Sequence, residues 1–449
     1  MFSRVLVANR GEIAVRVIRS LHELGIEAVA IYSTADRDSL HVRMADHAVC
    51  VGPPAAADSY LRIPSVVAAA ATTGCQAVHP GYGFLAENPA FVSACVDSDL
   101  VFVGPPADVM ATMGDKIAAK EAMRAADVPT VPGTDGATSI SAARSAADEI
   151  GYPVLLKASA GGGGKGMRLV HAGEDLEDAF GTAASEAEAA FGNSTLYVEK
   201  ALVPARHVEI QVLCDEHGNV LTLGERECSI QRRHQKLIEE SPSAALTHEL
   251  RAAMESAAER ACRAVGYRNA GTFEFLLGPD GKSFYFIELN ARLQVEHPVT
   301  ELVTGVDLVR QQLRVAAGEP LSATGRAARE GHAIEIRLNA EDADADFRPT
   351  PGLVKTFRPP LGPGVRVDTF VESGSVISPY YDSMIAKLIV WDVDRASAIA
   401  RAERALRETS IEGIPTTREV ALEVLASEPF RSGDYTTSTL EALRRVVAA

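Results

Sequence analysis

The N-terminal part of the sequence alternates short apolar runs with segments of helical periodicity, and this alternation limits the possible fold more than any other feature. VLVAN at residues 5–9 predicts a strand, EIAVRVIRSLHEL at 12–24 predicts a helix, and EAVAIYS at 27–33 predicts another strand. The same alternation continues as far as LVFVG at 100–104. Strands that alternate with helices form parallel sheets covered by helices. The sequence therefore predicts an N-terminal parallel α/β domain over residues 1–113.

The rest of the chain divides at changes in composition. A length of 449 residues is enough for roughly three domains. The Gly/Pro/Thr-rich segment VPTVPGTDGATS near residue 130 indicates a boundary, so we predict a small subdomain at 131–203 within a second domain at 114–330. A third block at 331–449 mixes strands and helices. The overall class is α/β combined with α+β.

The bulk composition excludes several classes of function. Lys and Arg total 44 against 60 Asp and Glu, a formal charge of −16, which argues against nucleic acid as a partner. No apolar run has the length of a membrane span, and the N-terminus lacks the regions of a secretory signal. The 6 cysteines contain no C-x-x-C pair. We therefore expect a cytoplasmic enzyme that binds neither membranes nor nucleic acid.

The glycine-rich stretch KASAGGGGKGM at 157–167 raises the question of a phosphate site. It is not a mononucleotide P-loop, because Ser159 and Gly166 occupy positions where that motif requires other residues. The flanking YPVLLKAS and MRLV segments predict strands, so the glycines form the tip of a hairpin. Such a tip can be a mobile lid that approaches phosphates closely, or an ordinary solvent loop. The stretch alone leaves both interpretations open.

A second stretch, FIELNARLQVEHP at 286–298, has polar residues at every second position. These residues are Glu288, Asn290, Arg292, Gln294 and Glu296. If the stretch is extended, they share one face, and alternation alone favours an ordinary amphipathic strand with a wet face. Their chemistry favours a site, because two carboxylates and an amide suit Mg²⁺ and a guanidinium grips an oxyanion. Glu274 in TFEFLL adds a carboxylate beside Glu288 on the partner strand of a hairpin that turns at GPDG.

Further polar residues are scattered through the chain. RHVEIQVL and ERECSIQRRHQKLIEE contain His207, Gln231, His234 and Lys236. Taken singly, these residues, and likewise Lys116, Lys200 and Arg337, each fit a surface or structural position.

Taken in order, these segments closely resemble the ATP-grasp superfamily and, within it, the biotin carboxylases. The similar blocks are ANRGEIAVRVIR, STADRDSLHVRMAD, HPGYGFLAEN, MGDKIAAK, KASAGGGGKGM, RHVEIQVL, ERECSIQRRHQK, FIELNARLQVEHPVTE, GHAIEIRLNAED and PYYDSMIAKLIV. The resemblance implies an N-terminal pre-ATP-grasp domain at 1–113, an ATP-grasp domain at 114–330 and a C-terminal biotin carboxylase domain at 331–449. It also implies that the glycine hairpin is the lid over ATP. Ala160 stands where the family's glycine run often begins.

The resemblance assigns a nucleotide site and a metal site. The implied ATP-binding residues are Lys116, Lys157, Gly161, Gly162, Gly163, Gly164, Met167, Glu199, Lys200, Leu202, His207, Gln231, His234 and Leu276. Glu274, Glu288 and Asn290 are implied to hold Mg²⁺, with Mn²⁺ as a possible substitute, between the ATP oxygens.

The resemblance also assigns the chemistry. Arg292, Gln294, the backbone of Val295 and Lys236 would hold bicarbonate. Glu296 would remove its proton, so that it attacks ATP and gives carboxyphosphate. Arg337 would stabilise the negative charge on the biotin ureido oxygen, and Tyr82 would line the biotin pocket. The enzyme would then be a ligase that forms a C–N bond.

The implied partners follow from what the sequence lacks. It has no A-M-K-M-type biotin attachment motif, and its last lysine, Lys387, fits a strand. The resemblance therefore implies that biotin arrives on a separate carrier protein, or on a carrier domain missing from this chain, and that a carboxyltransferase completes an acetyl-CoA or other acyl-CoA carboxylase of malonyl-CoA and fatty acid synthesis. Residues that match a homodimer face are Arg16, Arg19, Glu23 and Arg366, with Pro363 where the family often has an aromatic residue.

Two alternatives remain at this point. One is another ATP-grasp ligase, such as a carboxyaminoimidazole ribonucleotide synthase, from which QVEHP together with Arg337 distinguishes a biotin enzyme. The other is a nucleotide-binding regulatory protein without turnover. Intact Glu274, Glu288, Arg292 and Glu296 argue against that second alternative.

Overall fold

The N-terminal part of the chain is a parallel sheet with the strand order β3-β2-β1-β4-β5. The computed structural model describes residues 1–134, 139–158 and 167–448. The strands are β1 Arg4–Val7, β2 Glu27–Ser33, β3 His47–Gly52, β4 Ala77–His79 and β5 Val101–Phe102, and the helices are α1 Gly11–Glu23, α2 Leu40–Met44, α3 Ile63–Thr72, α4 Pro89–Val96 and α5 Ala107–Gly114. The Asn88 side chain caps α4 by accepting from the Phe91 N–H, with Pro89 in the first turn. The predicted parallel α/β arrangement is confirmed.

The next block contains a small antiparallel sheet in the order β7-β6-β8. Its elements are α6 Lys116–Ala125, α7 Ile140–Ile150, β6 Val154–Ala158, β7 Arg168–Val170, α8 Leu176–Phe191 and β8 Leu196–Lys200. Because β6 pairs with β7 in antiparallel register, the flanking strands of the predicted glycine hairpin are confirmed. Its tip, which includes Ala160 and residues 161–164, lies outside the described residues.

A large antiparallel sheet follows, in the order β13-β12-β9-β10-β11-β15-β22-β20 through the described chain. Its first strands and the intervening helices are β9 Arg206–Cys214, β10 Val220–Arg232, β11 Gln235–Ser241, α9 His248–Val265, β12 Asn269–Leu277, β13 Phe284–Asn290, α10 His297–Thr304 and α11 Leu308–Ala316. The predicted hairpin of β12 and β13 is confirmed, and its register places Glu274 directly opposite Glu288.

The last block extends the same sheet. Its elements are β14 Gly325–Arg326, β15 His332–Asn339, β16 Glu341–Asp342, β17 Arg348–Pro349, β18 Gly352–Leu353, β19 Thr356–Arg358, β20 Val365–Thr369, β21 Val376–Ile377, β22 Met384–Asp392, α12 Arg395–Glu408, β23 Ser410–Glu412, α13 Arg418–Ala426, α14 Glu428–Ser432 and α15 Thr439–Ala448. Because β15 pairs with β11, the sheet runs without a break across the domain boundary predicted after residue 330. The domain limits stay predictions.

The polar stretch at 286–298 is a strand only in its first part. β13 ends at Asn290, because the next backbone N–H, that of Ala291, donates to the Glu87 carboxylate at 2.9 Å instead of to a neighbouring strand. Helix α10 then begins at His297 with Pro298 in its first turn. The fully extended conformation considered from the sequence is therefore wrong for Arg292, Gln294 and Glu296, which lie on a loop.

In the part of the chain that the structure describes, we find no helix with the length and apolar character of a bilayer span. All six cysteines are free thiols, and Cys50 is exposed while the other five are buried.

Candidate active site

A cleft of about 1370 Å³ opens between the N-terminal sheet, the small sheet and the large sheet. Most of the predicted site residues line it. These residues are Tyr82, Lys116, Lys157, Met167, Glu199, Leu202, His207, Gln231, His234, Lys236, Glu274, Leu276, Glu288, Asn290, Arg292, Gln294, Val295 and Arg337. Residues far apart in the sequence are thus gathered around one space large enough for a nucleotide.

Of the predicted residues that the structure describes, two do not line this cleft. The Lys200 ammonium donates to the backbone oxygens of Gly151 and Tyr152 at 2.8 and 3.0 Å, so it binds the segment before β6. Glu296 is fully buried directly behind the cleft wall. Its carboxylate contacts Lys236 and Arg337, and both of these cations line the cleft.

Lys236 is the centre of the charged site. Its Nζ lies 2.6 Å from Glu209, 2.9 Å from Glu274 and 2.5 Å from Glu296. Burial opposes its charge, but the three carboxylates raise the pKa of Lys236 well above its usual value. Glu209 was not identified from the sequence, although it lies in the block RHVEIQVL on β9, two residues after His207.

Glu296 is held as a carboxylate. Besides Lys236, it accepts a hydrogen bond from Arg337 Nη2 at 3.0 Å. Burial alone would raise the pKa of Glu296, but Lys236, Arg337 and Arg226 hold it well below its usual range. An ionised carboxylate can accept a proton, and its basicity increases when its cations turn to another anion.

Arg292 is oriented by a carboxylate from the N-terminal block. Its Nε donates to Glu87 at 2.7 Å, and its two terminal nitrogens donate to Asn290 at 2.8 Å and to Gln294 at 3.1 Å. Sequence analysis missed Glu87, which stands in the block HPGYGFLAEN immediately before the α4 cap. A guanidinium fixed on one side in this way presents its remaining face to an anion.

Glu274 and Glu288 form the candidate metal centre. Glu288 is open to the cleft, yet enclosure by protein and the neighbouring Glu274 raise its pKa. Two facing carboxylates fit a hard divalent cation such as Mg²⁺, which would relieve their repulsion. The third predicted ligand, Asn290, donates its amide to Glu274 at 3.0 Å and accepts from Arg292, so its oxygen is shared with the guanidinium.

A second group of potential metal ligands adjoins this pair. His207, Glu209 and Glu274 bring ligand atoms within 4.8 Å of one another among the described residues. The Lys236 ammonium contacts both of these carboxylates, and His207 Nε2 lies 2.9 Å from Glu274. A lysine therefore provides the positive charge that a metal would provide in such a group.

Lysines surround the nucleotide end of the cleft. Lys157 Nζ lies 2.5 Å from the buried Glu199 carboxylate, which Lys120 also contacts. Burial and the nearby Lys116 lower the pKa of Lys157 to about 8. Lys120, in the block MGDKIAAK, was not singled out from the sequence. Several ammonium groups facing one space suit a polyphosphate.

The other end of the cleft is formed by Arg337 and Tyr82. Arg337 Nε donates to Glu239 at 2.6 Å, and the Tyr82 hydroxyl donates to Glu12. Lys387 is a strand residue, as predicted, and it is fully buried. Its Nζ donates to the Val295 backbone oxygen at 2.8 Å, so it anchors the loop that precedes Glu296.

His234 is presented by a strained turn. β10 and β11 are joined through Arg233 and His234, which have φ values of 47° and 69°. Two successive residues with positive φ make the tight hairpin turn that glycine or asparagine usually occupies. Such strain in non-glycine residues is typical of functional positions.

The geometry agrees with comparisons to known proteins. Three family models match the chain in order: the N-terminal domain of biotin carboxylase at residues 1–110, the ATP-binding domain of the carbamoyl-phosphate synthase L chain at 115–324, and the biotin carboxylase C-terminal domain at 335–442. A biotin carboxylase of Nostoc is 52% identical over 99% of this chain and 100% of its own length. The chain belongs to the biotin carboxylase family.

Other similar proteins are named for carboxylases with different substrates. A pyruvate carboxylase subunit of Methanothermobacter thermautotrophicus is 52% identical over 100% of this chain and 91% of its own length. The biotin carboxylase domain dimer of Hydrogenobacter thermophilus 2-oxoglutarate carboxylase, solved with MgADP, ADP and bicarbonate, superimposes with a TM-score of 0.93. It is 47% identical and covers 99% of this chain and 98% of that one. These matches confirm the family and the fold predicted from the sequence.

The predicted dimer face contains two arginines that pair with a glutamate of the same chain and two residues that are exposed. Arg16 and Arg366 both bind Glu301 within the chain, at 2.9 and 2.6 Å. Arg19 and Glu23 are exposed on α1, where Glu23 accepts from Arg310. The exposed pair is therefore the part of this face that is available to a second copy.

Proposed function

We propose that this chain carboxylates biotin borne on a separate carrier protein, using ATP and bicarbonate. The observation that carries the proposal is the position of Glu296 between Lys236 and Arg337. Glu296, as the proton acceptor, contacts Lys236 on the side where bicarbonate would bind and Arg337 on the side where biotin would bind. A generic ATP-grasp ligase has no need of the second cation.

The nucleotide would bind along the lysine-lined end of the cleft. Lys116 and Lys157 would neutralise its phosphates, with Glu199 fixing the Lys157 ammonium. Glu274 and Glu288 would hold Mg²⁺, or Mn²⁺ in its place. When bound, the metal would neutralise the charge that develops between the ATP phosphates during transfer.

Bicarbonate would bind beside Arg292 and Lys236. Gln294 and the Val295 backbone complete that site. As Lys236 turns towards the anion, Glu296 becomes a stronger base and takes the bicarbonate proton. The bicarbonate oxygen then attacks the γ-phosphorus of ATP, which yields carboxyphosphate and ADP.

Arg337 would act in the second step. Carboxyphosphate breaks down to CO₂ and phosphate, the phosphate takes the proton of a ureido N–H of biotin, and that nitrogen captures the CO₂ in a new C–N bond. A fixed guanidinium near the ureido oxygen stabilises the negative charge that develops there. Tyr82 would line this end of the pocket, with its hydroxyl held by Glu12.

ADP release by the purified chain tests the proposal. Mg·ATP is supplied with or without bicarbonate, and with or without free biotin. We expect ADP release to require bicarbonate and to increase with biotin. A protein that binds Mg·ATP but responds to neither free biotin nor a biotinylated carrier would exclude the proposed reaction.

We further propose that the partners are a biotin carboxyl carrier protein and a carboxyltransferase of an acyl-CoA carboxylase, acetyl-CoA being the leading acceptor. Sequence identity does not distinguish between these acceptors, because the Nostoc biotin carboxylase and the Methanothermobacter pyruvate carboxylase subunit are both 52% identical to this chain. The kcat/KM for biotinylated carriers from an acetyl-CoA carboxylase and from a pyruvate carboxylase would distinguish them. A clear preference for the second carrier would contradict the acyl-CoA assignment.

We also propose a homodimer built on the face of α1. The exposed Arg19 and Glu23 support it, as does the dimer named for the Hydrogenobacter relative. Arg19→Glu should shift the sedimentation coefficient from dimer to monomer, and the exposed Arg358→Glu is the control. An unchanged coefficient in the first variant would place the contact elsewhere. The cytoplasmic location stays a prediction.

A further inference from the structure

Two glutamates face each other behind Arg337. Glu239 on β11 and Glu335 on β15 are register partners in an antiparallel ladder, and both side chains are fully buried. Side chains at directly opposed positions have Cβ atoms about 5 Å apart. Two carboxyl groups are therefore held side by side away from water.

These two carboxyl groups have very different hydrogen bonds. Glu239 Oε1 accepts from Arg337 Nε at 2.6 Å. Neither oxygen of Glu335 has a hydrogen-bond partner within residues 1–134, 139–158 and 167–448. An ionised carboxylate without partners is strongly disfavoured in a dry interior, and one of two adjacent carboxyl groups keeps its proton instead. Since Glu239 is the one paired with a cation, the proton belongs on Glu335.

Within the described part of the chain, no cation is paired with Glu335 alone. Arg337 is shared by Glu239 and Glu296. Lys387, the register partner of Arg337 on β22, binds the Val295 carbonyl and Glu12. Tyr82 on this side binds Glu12, and burial lowers the pKa of His297 of α10 well below its usual value.

We propose that Glu335 keeps its carboxyl proton and is a positioning residue for Arg337. As a neutral acid, Glu335 does not compete for the Arg337 guanidinium, which stays hydrogen-bonded to Glu239 and Glu296. As a carboxylate, it would compete with Glu296 for the same guanidinium. The effect on rate rests on the function proposed for Arg337 and Glu296, whereas the protonation state does not.

The proposal gives a defined pH dependence. Burial and the neighbouring Glu239 raise the pKa of Glu335 well above its usual value, although Lys387 and Arg337 oppose this. Below that pKa the acid is neutral and Arg337 stays on Glu296. As the pH rises through it, Glu335 ionises and draws Arg337 away, so biotin carboxylation should decline with rising pH.

Infrared difference spectroscopy tests the protonation directly. The neutral-pH spectrum of the wild-type chain minus that of Glu335→Gln should contain the C=O stretch of a carboxylic acid. The matched control is Glu240→Gln, since Glu240 is equally buried on β11 but accepts hydrogen bonds from Arg395 and lies 2.8 Å from His332. That control should remove a carboxylate band instead. Loss of a carboxylate band in Glu335→Gln would overturn the proposal.

The pH profile tests the positioning role. Because glutamine mimics the neutral acid at every pH, Glu335→Gln should lose less kcat than Glu239→Gln, and at saturating ATP it should lose the decline with rising pH. Glu239→Gln should lose about tenfold or more at every pH, since it deprives Arg337 of its partner. Equal losses in both variants, or an unchanged decline of kcat with rising pH in Glu335→Gln at saturating ATP, would exclude the role.

If Glu335→Gln fails to fold, Glu335→Met is a second neutral variant for both measurements. If the wild-type chain binds Mg·ATP but responds to neither free biotin nor a biotinylated carrier, the proposed function is wrong, while the infrared spectra still decide whether Glu335 carries the proton.

Discussion

Lys236 Nζ lies 2.5 Å from Glu296 Oε1, and the same ammonium contacts Glu209 and Glu274. The proposed base is thus bound to the cation that would also bind its substrate. Bicarbonate must compete with Glu296 for Lys236, and success in that competition increases the basicity of Glu296. Substrate binding and base activation are therefore coupled through one ammonium group.

Glu296→Gln should abolish bicarbonate-dependent ADP release while ATP binding stays within about threefold, because the carboxylate lies behind the cleft and contacts cations, not the nucleotide pocket. ADP release and the Kd for ATP are measured in parallel. The exposed Glu419→Gln is the control variant. Normal turnover in Glu296→Gln would remove Glu296 as the base.

Arg337→Ala should reduce biotin carboxylation at least tenfold more than bicarbonate-dependent ATP cleavage, because its guanidinium is proposed to act after carboxyphosphate has formed. The two rates are followed in one reaction mixture as carboxybiotin and ADP. Arg337→Lys keeps the charge but loses the planar fork, so it should recover only part of the loss. Equal losses of both rates would move Arg337 to the bicarbonate step.

ATP affinity should fall as the pH rises through about 8. Burial and Lys116 lower the pKa of Lys157 to about 8, so the ammonium that attracts phosphate is charged below this pH and neutral above it. Binding above pH 8 should then take up a proton, which calorimetry in buffers of different ionisation enthalpy detects. In Lys157→Arg, the side chain stays charged and the proton uptake should disappear. Proton uptake that persists in this variant would assign the titration to another group.

Lys387→Met should raise the KM for bicarbonate about tenfold more than the KM for ATP, because the Val295 carbonyl loses its hydrogen bond beside the proposed bicarbonate site. Steady-state kinetics with each substrate varied in turn separate the two constants. The exposed Lys282→Met is the control. An equal rise in both constants would show a general loss of structure instead of a local effect on the loop.

Arg366→Ala should lower the free energy of unfolding by about 3 kcal/mol, because it leaves Glu301 and Asp368 buried without this cation. Denaturant titration measures the change against the exposed control Arg358→Ala. Burial alone would raise the pKa of Asp368, but Arg366 holds it well below its usual range. Asp368 thus adds stability above its usual pKa and loses it as the pH falls, and Arg366→Ala should weaken this acid dependence. A loss no larger than that of the control would contradict the assignment.

The patterns that depend on neighbours in sequence could be predicted well. The alternation at 5–33 predicted the parallel sheet, and the Asn88 cap of α4 is equally local, since it accepts from the Phe91 N–H three residues on. The Glu274–Glu288 pair followed from the hairpin, since a short turn determines the register. Most residues carried over from the family resemblance line one cleft, and their individual roles stay predictions.

Other features depend on contacts between distant segments. Glu87 ends β13 by accepting the Ala291 N–H, yet these residues are far apart in sequence, and nothing in FIELNARLQVEHP indicates that the strand stops. The same holds for Glu239 and Lys387, which contact Arg337 and Val295 only after β11, β15 and β22 have paired. A residue pattern carries local periodicity, whereas such contacts require the tertiary fold.

The pairing of β15 with β11 also governs when the site is completed during synthesis. As the ribosome extends the chain, β11 emerges well before residues 332–339, and until then its outer edge has no neighbour from β15. During that interval, Glu239 and Glu296 lack their partner, the guanidinium of Arg337. A nascent chain that has already folded its nucleotide cleft would thus still lack the residue proposed to complete biotin carboxylation, and chaperones would meet it as an open-edged intermediate.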